Sequence, residues 1–341
     1  MLLSAVAAGL AAVAVLALAA ATGVDQVGNA FSDVHPGWIA LIAGAELLAY
    51  PAYMIAYRSV ARVHGHAPLA LPLVARVVIA GFGPFSVGGG FGVDRQALQA
   101  LHEDEHSARV RVLALGTLEW AVLAPTACID SIILLAVGAN IMPSLLWPWA
   151  IAVPVGLGLG LWVSAPARVA KLSEKRGRVW QALTRGLEGM AVLKTMARNP
   201  RTYWGAWLGT ALYWTADIAA FYAALRTFGL SPGVEKVIIA YATGYAATRR
   251  SLPLGGAGIT EVLMTYSLYW VRLPLAPALA AVVAYRFFNF LLAATPGLIA
   301  HQQLQTMIRE NAGLTDGRQR RGPPGPDPRR RVERSEKGKV R

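Results

Sequence analysis

Nine ionisable side chains sit inside apolar stretches of this chain: Glu46, Arg76, Glu119, Asp130, Asp217, Arg249, Arg250, Glu261 and Arg286. Charge in hydrocarbon is costly, so each is a functional candidate by default. Their signs nearly balance, so structural ion pairing accounts for part of the set. Arg249 and Arg250 stand out, because they end a helical stretch just ahead of Ser251-Leu252-Pro253 and the run Gly255-Gly256-Ala257-Gly258. A new half-helix is predicted to start near Thr260. Its free N–H groups and positive dipole end attract anions, and guanidinium matches phosphate oxygens bidentately. Arg249 and Arg250 therefore read as a phosphate seat; the plain alternative is that they snorkel to a nearby interface. Glu261 falls at the same helix start, placed to cap it or to pair with an arginine while the site is empty. Arg286, on the following span, is placed to face the same cavity.

The glycine run has a counterpart. Pro84 leads into Gly88-Gly89-Gly90-Phe91-Gly92-Val93-Asp94-Arg95, so Gly-Gly-x-Gly-[Val/Ile] occurs once in each half of the chain. Glycine and proline stop a helix, one for want of a Cβ and the other for want of an N–H. In lipid a stopped helix is tolerable only where its bare backbone groups are buried in protein or line a wet cavity. Interrupted segments at matching places in two halves are the sequence mark of a transporter's binding site.

Other chemistries find little support. His64 and His66, and His102 and His106, have metal-like spacing, but both pairs lie in charged loops, and His-Glu-Asp-Glu-His is not the zinc-protease pattern. Neither a nucleophile elbow nor a phosphate-binding P-loop is present. Cys128 is the single cysteine, which rules out a disulfide framework. The expectation is a protein with no metal, no cofactor and no catalytic residues.

The elements that must hold these residues are spans. Of 341 residues, 55% are hydrophobic and 15% charged, against roughly 25% charged in soluble domains. Residues 1–22, 36–57, 113–138, 145–165, 202–225 and 274–300 are each apolar for about the 20 residues that cross ~30 Å of hydrocarbon. The stretches 69–92 and 237–271 are apolar but broken. Residues 1–22 read as an uncleaved first span, since no basic residue precedes them.

Lys and Arg mark cytoplasmic loops, and they gather in 58–66, in 166–201 and in the tail, whereas 138–147 has none. With those three segments inside, 69–92 must enter from the cytoplasm and return. By the same count 237–271 is either two spans or a hairpin from the outside. The expected fold is thus an all-α polytopic membrane protein, an inverted-topology repeat with two Gly-rich broken or re-entrant helical hairpins. Its parts are a first helix (1–22), a first half (36–165), an amphipathic cytoplasmic connector (166–201), a second half (202–301) and a basic disordered tail (302–341). In the connector Val179, Leu183, Leu187 and Met190 form the apolar stripe. The mixed-charge segment 93–111 reads as a loop. Tyr241, Tyr245, Tyr266, Tyr269, Trp270 and Tyr285 read as ordinary interface anchors without a chemical role. Much of the net charge of +13 lies in 311–341, which suits an anionic lipid surface better than nucleic acid.

The stretch from Arg249 to Glu261 resembles the Pro-Gly-Gly-x-Gly-x-x-Glu signature of the lysylphosphatidylglycerol synthase transmembrane region, the flippase-like part of the multiple peptide resistance factor. Tyr285-Arg286, ahead of Pro296-Gly297, is similar to the family's Tyr-Arg pair on the next span. Residues 84–95 and Glu119-Trp120 resemble the first-half counterparts. Leu254 stands where the family usually has proline, and Trp120 where an arginine often follows the glutamate. The resemblance extends over most of 36–300. It implies a stand-alone, flippase-like protein of a bacterial or archaeal cytoplasmic membrane, lacking the synthase domain and so not a lysyl transferase.

Residues and resemblance together give a candidate substrate-binding set: Arg249, Arg250, Gly255, Gly256, Gly258, Glu261 and Arg286, with Gly89, Gly90, Gly92 and Glu119 from the first half. The expected activity is translocation of a phospholipid or lipid-linked substrate, with both termini cytoplasmic and homo-oligomers allowed. Two other classes stay open at this point: a membrane-embedded enzyme on lipid-linked substrates, and a scaffold working through its basic tail.

Overall fold

The computed structural model describes residues 23–30, 34–63, 69–83, 90–100, 105–174, 177–245 and 258–320, together with Val13, Leu16, Ala17, Ala20 and Gly256. The expectation of a first span over 1–22 falls almost wholly outside these residues. Among the described residues all regular structure is helical. A short α1 (Val24–Ala30) leads to α2 (Gly37–Val60), then α3 (Leu71–Phe82), α4 (Gly90–Ala100) and α5 (Glu105–Ala136). Next come α6 (Pro143–Val163), α7 (Pro166–Ser173) and α8 (Arg178–Arg198). The chain closes with α9 (Pro200–Thr227), α10 (Val234–Tyr245), α11 (Ile259–Trp270) and α12 (Leu275–Arg320).

Among the described residues, four helices are long and apolar enough to cross a membrane: α2, α5, α6 and the Leu275–Arg309 part of α12. This makes the chain a multi-pass membrane protein. The expected span 202–225 lies in α9, whose 28 residues have the length but whose Thr, Tyr, Trp and Asp217 dilute its hydropathy. The physical reason is its place. Ala206, Tyr213, Ala216, Asp217, Ala220, Phe221, Ala223 and Ala224 are all buried, so much of α9 meets protein rather than lipid.

The helices either side of the two glycine runs are short, with 12 residues in α3, 11 in α4, and 12 each in α10 and α11. At 1.5 Å per residue each is under about 20 Å long, too short for a ~30 Å core. Segment 93–111 differs from the expected loop, because it forms most of α4 and the start of α5. Two of its charges are internal, since Asp94 and Arg111 are buried, and on the surface Arg109 donates to Glu105 at 2.7 Å one turn away.

Helix ends sort into two groups. The His35 N–H donates to the Thr227 carbonyl at 2.9 Å, and the Met142 N–H to the Trp270 carbonyl at 3.2 Å. The starts of α2, α6, α10 and α12 therefore share one end of the bundle with the ends of α5, α9 and α11. The opposite end holds the end of α2 and the starts of α3, α5 and α9. It carries Arg58, Arg62, Arg109, Arg168, Lys171, Lys194, Arg198 and Arg201.

In the connector, Leu187, Val192, Leu193 and Met196 of α8 are buried, while Val179 and Leu183 are exposed. The expected stripe thus packs only in its second half. Arg168 lies 3.9 Å over the Trp162 ring where α6 gives way to α7. The segment read as a disordered tail begins as helix, since α12 runs on to Arg320. Leu304 is buried there, and Gln302, Gln303, Gln305 and Met307 are good helix formers. Residues from 321 onward lie outside the described part.

α2 and α9 are the central pair. Ala45, Ala49, Ala52 and Ala56 form a small-residue face on α2, and Gly209 meets it from α9 while Gly205 lies against Ile55 and Ser59, letting the backbones approach as membrane helices require. A Cβ at Gly209 would lie 2.5 Å from the Ala56 nitrogen and 2.7 Å from the Ala52 oxygen. Gly209→Ala is therefore expected to cost about 1–3 kcal/mol, read as a lower melting temperature of the detergent-solubilised protein. Gly156→Ala, on the open face of α6 with nothing within 4 Å, should stay within about 0.5 kcal/mol of the parent.

Candidate functional site

The site grows from the start of α11. Gly256 and Gly258 have φ of 70° and 87°, the left-handed region that favours glycine, so these two positions of the motif are fixed by backbone shape. Glu261, in the first turn, reaches back to accept a hydrogen bond from the Gly258 N–H through Oε2. This is the return limb of a capping box; glycine has no side chain for the other limb. Thr260 donates from Oγ1 to the Gly256 carbonyl at 3.1 Å, tightening the same turn.

The second oxygen of Glu261 carries an ion pair. Arg286 Nε donates to Oε1 at 2.7 Å, with both residues buried. Glu261 thus does both things open to it in the sequence: it caps the helix and it pairs with an arginine. The guanidinium also lies 4.5 Å from the Phe290 ring centroid, and its Nη1 reaches the Tyr245 hydroxyl at 3.5 Å.

From Tyr245 the polar chain continues inward. The hydroxyls of Tyr285 and Tyr245 are 3.3 Å apart, and Tyr285 donates to Asp217 Oδ1 at 2.7 Å. A phenol has one proton to give, so Tyr245 donates to Tyr285 while accepting from Arg286. Tyr241 donates to the other carboxylate oxygen of Asp217. Its ring stacks on Tyr245 with centroids 4.9 Å apart. A connected path therefore runs from the α11 N-terminus through α12 and α10 to Asp217 on α9, and every member of it is buried.

Glu119 lies in a neighbouring group. It accepts from the Tyr53 hydroxyl at 2.5 Å, and its carbonyl accepts from the Trp214 indole at 3.0 Å. Rings join the two groups: Tyr53 to Tyr213 at 5.0 Å, Tyr213 to Trp214 at 4.8 Å and Trp214 to Tyr241 at 5.9 Å between centroids. Asn289 of α12 donates to both oxygens of Glu46 at 3.1 and 3.2 Å.

Of the sequence candidates, the structure thus brings together Gly256, Gly258, Glu261 and Arg286. Glu119 is buried but bonded to Tyr53, not to that pair. Gly90 and Gly92 form the first turn of α4. Arg249, Arg250, Gly255 and Gly89 lie outside the described residues. Arg76 is exposed and Asp130 half-buried. The sequence reading missed the tyrosines. Tyr241, Tyr245 and Tyr285 are buried hydrogen-bonding groups rather than interface anchors, whereas Tyr266 and Tyr269 are exposed. The available signal was Tyr241 and Tyr245 at i and i+4 and Tyr285 beside Arg286, all in apolar segments.

Removing one partner of a buried pair strands the other charge. Arg286→Met is expected to cost roughly 3–5 kcal/mol in SDS-titration unfolding of the purified protein. Adding Glu261→Gln should recover part of that loss, because the stranded carboxylate is then gone. A double variant as unstable as the sum of the singles would show the two side chains to be uncoupled.

Residues 3–297 match the family described as the lysylphosphatidylglycerol synthase TM region. No curated protein matches the chain. With the matched span covering most of the chain, and with Glu261 and Arg286 of the motif paired at its buried site, the protein belongs to the lysylphosphatidylglycerol synthase transmembrane region family.

Proposed function

We propose that this protein moves an anionic or amphipathic phospholipid, or a lipid-linked phosphate, between the leaflets of a cytoplasmic membrane, as a transporter rather than an enzyme. The observation that carries the reading is the seat occupied by Glu261. A helix N-terminus and a buried guanidinium converge there on one carboxylate, and both are groups that hold phosphate in proteins. Glu261 fills an anion site with the protein's own anion. A lipid phosphate arriving there competes with it for Arg286 and for the Gly258 N–H. Arg249 and Arg250 would then form the outer part of the same head-group seat, while the acyl chains stay in lipid.

The helix order supports an inverted repeat around this seat. Long, short, short, long describes α2 to α5 and again α9 to α12. α3 packs on α12 and α10 on α5, so exchanging the halves reproduces the pairing, and α2 with α9 maps onto itself. The short pair α3 and α4 opens at the basic end of the bundle, and α10 and α11 at the other. By the positive-inside rule the basic end is cytoplasmic. On that orientation the two short pairs would be re-entrant hairpins of opposite sense and both termini would be cytoplasmic, as the charge pattern of the sequence also expects. Movement would follow the lipid gradient or be coupled to proton exchange at Glu261, Glu119 or Asp217.

The test is reconstitution in liposomes with fluorescent phospholipids and an impermeant quencher, which reads movement between leaflets. The parent protein should equilibrate at least one anionic lipid within the assay. Arg286→Gln, and separately the double variant Arg249→Gln/Arg250→Gln, should slow it at least about tenfold, the loss of one charge-assisted hydrogen bond. Both should stay monodisperse in detergent. Unchanged rates in both variants would sink the phosphate seat. Absence of movement for every lipid, with and without a proton gradient, would sink the transport reading.

A further inference from the structure

Away from that seat, a cleft of about 370 Å³ opens between α5, α9 and α10, within the usual ligand-pocket range of roughly 300–1,000 Å³. Leu123, Trp214 and Val237 form its buried floor, and Val122, Ile218 and Tyr222 are half-buried along its walls. The surface beside it is lipid-facing, with Ile129, Ile132 and Ile133 of α5 and Leu212 of α9 exposed. Hydrocarbon, not water, borders such a cleft, so what fills it is an alkyl chain.

The mouth of the cleft has a sign. Thr126 lines the cleft, and Asp130 follows one turn on, on the same face of α5. Val234 and Ile238 of α10 also line it, and Glu235 lies between them in sequence. Asp130 on α5 and Glu235 on α10 therefore flank the same cleft from two sides. Oδ2 of Asp130 is buried with no hydrogen-bond partner among the described residues. Two acids beside an apolar slot complement a cationic head group. These groups lie at the less basic end of the bundle.

We propose that this cleft is a lateral binding site for one acyl chain of a zwitterionic, amine-bearing phospholipid, its ammonium held between Asp130 and Glu235. The site is distinct from the seat of Glu261 and Arg286, yet its floor touches the same network. Trp214 donates to the Glu119 carbonyl and lies 5.9 Å from the Tyr241 ring, whose hydroxyl is bonded to Asp217. A chain in the cleft therefore presses on the wall that carries both carboxylate groups. The site deepens the transport reading and rests on it for its role, as the way in from one leaflet.

The full chain, reconstituted in vesicles containing phosphatidylethanolamine with a photoreactive acyl chain, is irradiated, digested and mapped by mass spectrometry. Labels are expected on Val122, Ile218 or Tyr222, with excess phosphatidylethanolamine competing at least about fivefold better than phosphatidylglycerol. Asp130→Asn/Glu235→Gln should erase that preference while labelling persists. Ile218→Trp, which fills the slot, should abolish labelling there with the protein still monodisperse. Absence of labels in the cleft, or equal competition by the two lipids in the parent protein, overturns the proposal. Labelling needs no transport, so a protein that labels as expected yet moves no lipid upholds this site and sinks only the transport reading.

Discussion

Hydrocarbon offers no hydrogen-bond partner, and that constraint shapes each part of this molecule. A helix broken within the membrane exposes N–H groups at one side of the break and carbonyls at the other. At the start of α11 two positive-φ glycines let the chain turn, and a carboxylate from inside the helix returns to take one bare N–H. That carboxylate is itself a buried charge and needs a partner, which Arg286 supplies. The guanidinium has further donors, and the tyrosines extend the chain of satisfaction to Asp217. Each answer raises a new demand, and the sequence of answers crosses four helices.

Whether such a chain stabilises the fold is a question of magnitudes. Moving one charged side chain out of water costs several kcal/mol even after relaxation, and the attraction within a buried pair repays it only with good geometry and further bonds. Glu261 and Arg286 have those bonds, on one side from a helix terminus and on the other from a phenol. A well-packed apolar pair could do as well for stability. What the arrangement adds is specificity: it ties α10, α11 and α12 to one another beside the Gly258 turn.

How much of this was legible before any coordinates depended on the kind of signal. Long apolar runs and the glycine breaks are local, so α2, α5, α6, α12 and the short α3, α10 and α11 lie close to where hydropathy and helix breakers put them. Charge was read less well, because it has two meanings in a membrane protein. Residues 93–111 carry enough charge to pass for a loop, yet Asp94 and Arg111 are inside the protein. Tyrosine has the same ambiguity. Tyr269 and Tyr285 look alike in sequence, but one is exposed and the other wholly buried; only the packing of α12 against α9 and α10 separates them. Glu261 was readable from its place at a helix start, and Arg286 became its partner only once α11 and α12 were set side by side. Asp130 and Glu235 are more than 100 positions apart, so no pattern in the chain could pair them.

The two halves are packed unequally, and that inequality bears on how a repeat of this kind would work. Where α3 meets α12 the backbones touch: a Cβ on Gly297 would lie 2.8 Å from the Gly83 Cα. Where α10 meets α5, the cleft lies open beside Thr126 and Ile218. On the inverted-repeat reading these seams are counterparts, so the described state is closed on one side of the centre and open on the other. Packed interfaces switch between discrete arrangements rather than deforming smoothly. Gly83 ends α3 just before the first glycine run, and Gly297 follows Pro296, which removes a backbone donor within α12. The tight seam thus sits where both helices are easiest to bend, which is where a structure that must open its closed side would concentrate its freedom.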